Sequence, residues 1–184
     1  MTNWRPESAD MYRDVQTIYN YNHSNLNKPL QVRLEKMWRS SRDGARSPVQ
    51  WDDSPNAGFT TGTPWFYVNQ NYLQINVAKQ EADPNSVLNF YRKAIALRKT
   101  LPVVRDGIYK EHFHSHPKQY IYSREMEGQK LLIICAFSEK PQKMKVPKGF
   151  DLHTAQCILH NYPNFDSLTL QPYETRTYLW QDKL

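Results

Sequence analysis

The chain has 184 residues and a formal net charge of +6, from 24 Lys and Arg against 18 Asp and Glu. Aromatic residues are 13 % of the total; disordered chains are poor in them, so a folded protein of one large or two small domains is expected. The longest apolar run, Leu131 to Phe137, falls well short of the ~20 residues of a membrane span.

The N-terminal residues Met1-Thr2-Asn3-Trp4-Arg5-Pro6-Glu7 lack the apolar core of a secretory leader, so a cytoplasmic location without membrane partners is expected. To about Arg46 the sequence is polar with helical spacing. Leu34, Met37 and Trp38 form an apolar stripe at i, i+3, i+4, and Gly44 and Pro48 are expected to stop the helix. Arg33, Lys36, Arg39, Arg42 and Arg46 crowd its end; near Trp38 and Trp51 they could grip a nucleic acid. A helix with a solvated basic face is the favoured reading of such a charge run, and no nucleic-acid partner is expected.

Ser47 to Asp83 reads as one long loop with its own aromatics, Trp65, Phe66 and Tyr67. Loops of that length are usually functional or pinned to a larger body. Asp83 then N-caps a helix with Pro84 at its first position, and Val87, Leu88, Tyr91, Ala94 and Ile95 line one face. Pro102 ends it. From about Val103 the period becomes two. Gln119 to Arg124 and Lys130 to Phe137 form a hairpin around Glu127-Gly128, with shorter strands near 142–146, 155–159, 167–170 and 174–180. Short strands with regular turn signals predict an antiparallel β-sandwich, with a domain boundary between Thr100 and Gly107.

Candidate chemistry is sparse. His112, His114 and His116 would share a face on a strand, but Pro117 follows at once, and no metal site is assigned. Asp52-Asp53 and Glu125/Glu127 read as loop and hairpin residues rather than a catalytic carboxylate pair. Cys135 and Cys157 fit neither a zinc spacing nor a disulfide scaffold and read as reduced, buried thiols. No phosphate or dinucleotide loop is present, and no cofactor is expected.

One segment is more specific. Ser41-Arg42-Asp43-Gly44-Ala45-Arg46-Ser47-Pro48-Val49-Gln50-Trp51-Asp52 resembles the R-D-N-A-R-T-P-M-Q-W-D segment of bacterial α-glucosidases of glycoside hydrolase family 13, of the oligo-1,6-glucosidase, dextran glucosidase and phosphotrehalase type. The resemblance runs on through Asn56-Ala57-Gly58-Phe59-Thr60-Thr61-Gly62-Thr63-Pro64-Trp65, Val68-Asn69-Gln70-Asn71-Tyr72 and Ile75-Asn76-Val77. It continues in Phe90-Tyr91-Arg92-Lys93 and Leu97-Arg98-Lys99, and also takes in Met1-Thr2-Asn3, Tyr12-Arg13-Asp14, Lys130-Leu131-Leu132 and His160-Asn161-Tyr162. Gly44, Ser47 and Val49 depart from the usual Asn, Thr and Met.

The resemblance implies a (β/α)8 barrel followed by an antiparallel sandwich. A barrel takes ~250 residues, so it implies an α+β fragment of such an enzyme. Residues 1–104 would be the C-terminal remnant of the barrel, with the loop after strand eight and the last helix, and 105–184 the β-sandwich. It further implies a retaining glycoside hydrolase acting on α-glucosidic bonds of oligosaccharides, α-1,6 preferred, with isomalto-oligosaccharide, maltose, dextran and trehalose 6-phosphate all open as substrates. The nucleophile and acid would lie on an N-terminal barrel portion, its partner, so this chain holds no catalytic residue and is expected to be inactive alone. The resemblance places Arg42 at the pocket for the non-reducing glucosyl unit and Arg46 near the leaving-group sugar, both as substrate-binding residues. Trp51 and Trp65 are read as pinning the long loop to the barrel rather than stacking on sugar. The alternatives are a non-catalytic carbohydrate-binding or structural sandwich module and a basic nucleic-acid binder.

Overall fold

Residues 131–136 are apolar on both sides of their alternation, and they lie in the central strand of the sheet. The computed structural model describes residues 4–24, 26–163 and 167–181; Met1, Thr2 and Asn3 of the resemblance lie outside them. The chain divides into two units, Met1–Leu88 and Asn89–Leu184.

In the second unit the strands are β1 (Ile108–His112), β2 (Gln119–Met126), β3 (Gln129–Ala136), β4 (Gln142–Lys143), β5 (Gln156–His160), β6 (Thr169–Leu170) and β7 (Thr175–Gln181). Among the described residues, five of them make an antiparallel sheet in the order β1-β2-β3-β7-β5, and β4 pairs with β6 in a second, two-stranded sheet. The β2–β3 hairpin forms as expected, with Gly128 at φ +71°, where a side chain would be strained.

Strand β3 explains its own composition. Leu132, Ile134 and Ala136 point to one core with Ile121, Met144, Phe150, Leu170 and Tyr178. Leu131 and Ile133 point to the other, with Val103 and Leu179. A strand covered on both faces needs apolar residues at every position. Met144 and Leu170 bring the small sheet onto the first face, which makes the β-sandwich. Cys135 packs on one face and Cys157 on the other. Both thiols are free and half-buried rather than buried, and burial pushes each pKa up.

The two regions of the sequence that predict no helix contain one each. Pro102 does not simply end the preceding helix but sits at the first turn of a new one, Pro102–Asp106, whose Val103 is fully buried. Residues 76–82 form a short helix, Val77–Ala82, because Asn76 caps it by accepting the amide of Lys79 at 2.9 Å. Asp83 therefore closes that helix and accepts the amide of Asn85, and the next helix starts at Val87, not at Pro84. In chain order the helices are α1 (Val15–Asn22), α2 (Leu30–Ser40), α3 (Val77–Ala82), α4 (Val87–Thr100) and α5 (Pro102–Asp106). Helix α4 buries no residue: Val87, Tyr91 and Ile95 of its apolar stripe are 72 %, 65 % and 48 % exposed.

In the first unit, Leu34 and Met37 of α2 pack on Tyr12, flanked by Ile18, Tyr21 and Trp38. Helix α2 stops at Ser40, four residues before Gly44. The loop that follows is organised by Gln50, almost fully buried, whose amide donates to Asn71 Oδ1 at 2.8 Å and to the Ile75 carbonyl at 2.7 Å. Asn56, Ala57 and Gly58 are all left-handed, at φ 56°, 59° and 65°, and the buried Ala57 carbonyl accepts the amide of Trp51 at 2.9 Å. Trp51 and Trp65 are exposed, Trp65 with its ring 5.3 Å from that of Phe66. Within this unit Phe66 meets Trp4 edge-on at 5.2 Å, while Trp4 stacks on Tyr67 at 5.1 Å.

Candidate functional site

Arg42 and Arg46 meet on two buried carboxylates that are far from each other in sequence. Asp14 caps α1: its Oδ2 accepts the Thr17 hydroxyl at 2.6 Å and the Thr17 amide at 3.2 Å. Asp43 follows Ser41, whose hydroxyl accepts the Asp43 amide and opens a one-turn 3₁₀ helix, Arg42–Ala45. Asp43 Oδ2 accepts the amides of Arg13 and Asp14 at 2.8 and 2.9 Å, so it fixes the approach to α1.

On this base sit the two guanidiniums. Arg42 Nε and Nη2 both contact Asp14 Oδ1, at 2.8 and 2.6 Å. Arg46 Nη1 lies 3.9 Å from the same oxygen and 3.6 Å from Asp43 Oδ1. The Asp14 side chain is 3 % exposed and that of Arg42 64 %. A fixed fork with only its inner edge occupied presents its outer N–H groups to solvent, an arrangement suited to hydroxyl or carboxylate acceptors. Beneath it the Tyr12 hydroxyl is buried with no hydrogen-bond partner among the described residues, and burial together with the charge of Asp43 pushes its pKa up to about 12.

The bonds from Thr17 hold the Asp14 carboxyl below the usual carboxylate range, opposed by burial and reinforced by Arg42. Its folded pKa is thus below the unfolded value of ~3.9, so its contribution to stability is full above that pH. It is lost as pH falls through the folded value. Acid titration is expected to release Arg42 and to raise the exchange of the Thr17 amide below about pH 4. NMR of the Arg42 Nε and Thr17 amide signals checks this, and Asp14→Asn is expected to abolish the acid transition at both.

The other sequence candidates do not converge. Phe113 and Ser115 are left-handed, which breaks the alternation that would align the three histidines. His112 Nε2 pairs with Ser123 Oγ at 2.9 Å, His114 with Glu111 at 3.2 Å, and His116 accepts the amides of Lys118 and Gln119. Asp52 accepts the amide of Ser54 while Asp53 lies 3.3 Å from Lys79. Among the described residues no group of three or more His, Cys, Asp or Glu could hold a metal ion. Nothing local in the sequence marks Asp14 and Asp43 as site residues. Asp43 was in view between the two arginines, whereas Asp14 showed only within the Tyr12-Arg13-Asp14 stretch of the resemblance, and its capping of α1 emerges only in the structure.

Residues 2–107, which include the whole arginine–aspartate cluster, match the model of the alpha-amylase catalytic domain. The chain belongs to the alpha-amylase family. It is 38 % identical over 185 residues to an oligo-1,6-glucosidase of Parageobacillus thermoglucosidasius, covering 97 % of this chain and 33 % of that protein. It is 35 % identical to the trehalose-6-phosphate hydrolase of Escherichia coli, over 95 % of this chain and 32 % of that one. Among solved structures it is similar to the trehalose-6-phosphate hydrolase of Bacillus licheniformis, with a TM-score of 0.90 and 32 % identity, covering 99 % of this chain and 34 % of that one. This alpha-amylase-family chain thus spans about a third of the length of these relatives. It is the last part of a barrel followed by an antiparallel β-sandwich, in line with the sequence resemblance.

Proposed function

We propose that the chain serves as the C-terminal portion of a retaining α-glucosidase that hydrolyses α-glucosidic bonds in oligosaccharides, α-1,6 bonds preferred. Residues 1–104 belong on this reading to the catalytic barrel and 105–184 to the sandwich. The protein works in the cytoplasm on a gluco-oligosaccharide, together with an N-terminal barrel portion that supplies the nucleophile and the acid. The observation that supports it most is the cluster at Arg42. A guanidinium held along one edge by a buried carboxylate keeps its outer donors aimed without further ordering, which is how a binding group is pre-organised for sugar hydroxyls.

Arg42 receives the non-reducing glucosyl unit and Arg46 the leaving-group sugar. Asp14 and Asp43 neutralise the pair and fix its orientation. Neither acid attacks the substrate: Asp14 is held by Thr17 and Arg42, and Asp43 accepts two amides on Oδ2 while its Oδ1 lies buried 3.6 Å from Arg46. Retaining hydrolysis needs two free carboxyl groups ~5–5.5 Å apart. The 184-residue chain alone is therefore expected to release no nitrophenol from a nitrophenyl α-glucoside above a heat-killed control. Turnover clearly above that control would overturn the assignment of the chemistry to the barrel portion.

A further inference from the structure

Helices α1 and α2 enclose a groove of about 350 Å³ that the reading above does not use. Arg33, Lys36, Met37 and Ser40 recur at i, i+3, i+4 and i+7, so one face of α2 forms its wall. Tyr21 at the end of α1 and Ser24 just beyond it form the other, and Lys28 also lines the groove. No Asp or Glu lines it.

The cations are held differently. Arg33 is fixed: its guanidinium carbon lies 4.1 Å from the centre of the Tyr21 ring, Nε donates to Ser24 Oγ at 3.0 Å and Nη2 to the Tyr21 carbonyl at 3.4 Å. Its Nη1 edge has no partner among the described residues. Lys28 and Lys36 form no ion pair among the described residues. In the same unit Arg42 and Arg46 each face an aspartate, so the lack of a counter-charge in the groove is local. Three cations around one concavity, one of them pre-set in orientation, fit an oxyanion.

We propose that this groove binds a small phosphate monoester, its oxyanion taken by Arg33, Lys28 and Lys36 and its organic part lying along Val32 and Met37. The volume lies at the lower end of small-molecule sites and exceeds what a bare phosphate fills. The inference is independent of the α-glucosidase reading.

The test is NMR titration of the isotope-labelled 184-residue chain with inorganic phosphate, with glycerol 3-phosphate and with glycerol. Both phosphates are expected to shift the amides of Ser24, Arg33 and Lys36 saturably, the ester more tightly, and glycerol not at all. The exposed double substitution Lys28→Ala/Lys36→Ala is expected to weaken both by about 25-fold, a factor of about five for each ammonium at ~4 Å in water. Its helical circular dichroism is expected to be unchanged. Added salt is expected to weaken binding as the charges are screened. Equal affinity for the two phosphates overturns the organic part and keeps the oxyanion seat. Absence of saturable shifts, or shifts that persist unchanged in the double variant, overturns the proposal.

Discussion

Asp43→Ala is expected to destabilise the first unit by about 3–5 kcal/mol, since a buried donor left unpaired costs ~1–3 kcal/mol. Two such donors, the amides of Arg13 and Asp14, lose their acceptor at once. Arg46 loses the nearer of its two carboxylates as well. Asp43→Asn retains one carbonyl oxygen to accept the amides and is expected to lose less, about 1–2 kcal/mol, the cost of a charge-assisted bond made neutral. Urea unfolding followed by tryptophan fluorescence, with Trp180 of the second unit replaced by Phe in every variant, reads this unit, because the other four tryptophans, Trp4, Trp38, Trp51 and Trp65, all lie in it. A loss below about 1 kcal/mol for the alanine variant would show that Asp43 does not hold the approach to α1.

In the second unit the corresponding weak point is the pair Glu174–Arg176. Their side chains are 0 % and 1 % exposed, and Arg176 Nε donates to Glu174 Oε1 at 2.6 Å. The rest of the guanidinium satisfies the carbonyls of Ser167 and Thr169, at 2.6 and 3.0 Å, and Glu174 Oε2 accepts the amide of Gln171 at 2.6 Å. Glu174→Ala strands a buried cation and is expected to cost about 3–5 kcal/mol. Buried ion pairs can often be replaced by apolar residues without loss. Here three backbone groups depend on the pair, so Glu174→Leu/Arg176→Met is expected to remain less stable than the parent chain. Thermal unfolding of the parent, the single and the double variant separates these cases. A double variant as stable as the parent would mean that the pair is dispensable.

The sandwich was largely legible in the sequence because its signals are local. The Glu127-Gly128 turn and the continuous apolar run of β3 each follow from neighbours in the chain. The short helices were hidden by rules applied to the wrong partner. Pro102 reads equally as a stop and as a first-turn residue, and the burial of Val103 decides between them. Asn76, not Asp83, caps the helix that begins in this stretch. The histidines misled because two left-handed residues interrupt a spacing that looks continuous on paper.

The site was legible in part. The two arginines and the aspartate between them stand together in one motif. Asp14, which takes Arg42 at 2.6 Å, lies 28 residues away, and only the fold joins them. The exposed stripe of α4 belongs to the same lesson. Spacing predicts that its residues share a face, but not what lies against it.

The proposed function turns on Arg42 as a sugar-binding group of an α-glucosidase. The most direct test puts this chain in place of the matching third of the Parageobacillus thermoglucosidasius oligo-1,6-glucosidase and compares the hybrid with its Arg42→Ala variant on a nitrophenyl α-glucoside. An active hybrid is expected, with a fall in kcat/KM of about a hundredfold or more in the variant, as for loss of a pre-aimed charged donor. A folded hybrid without activity, or a variant as active as the hybrid, would contradict the proposed function.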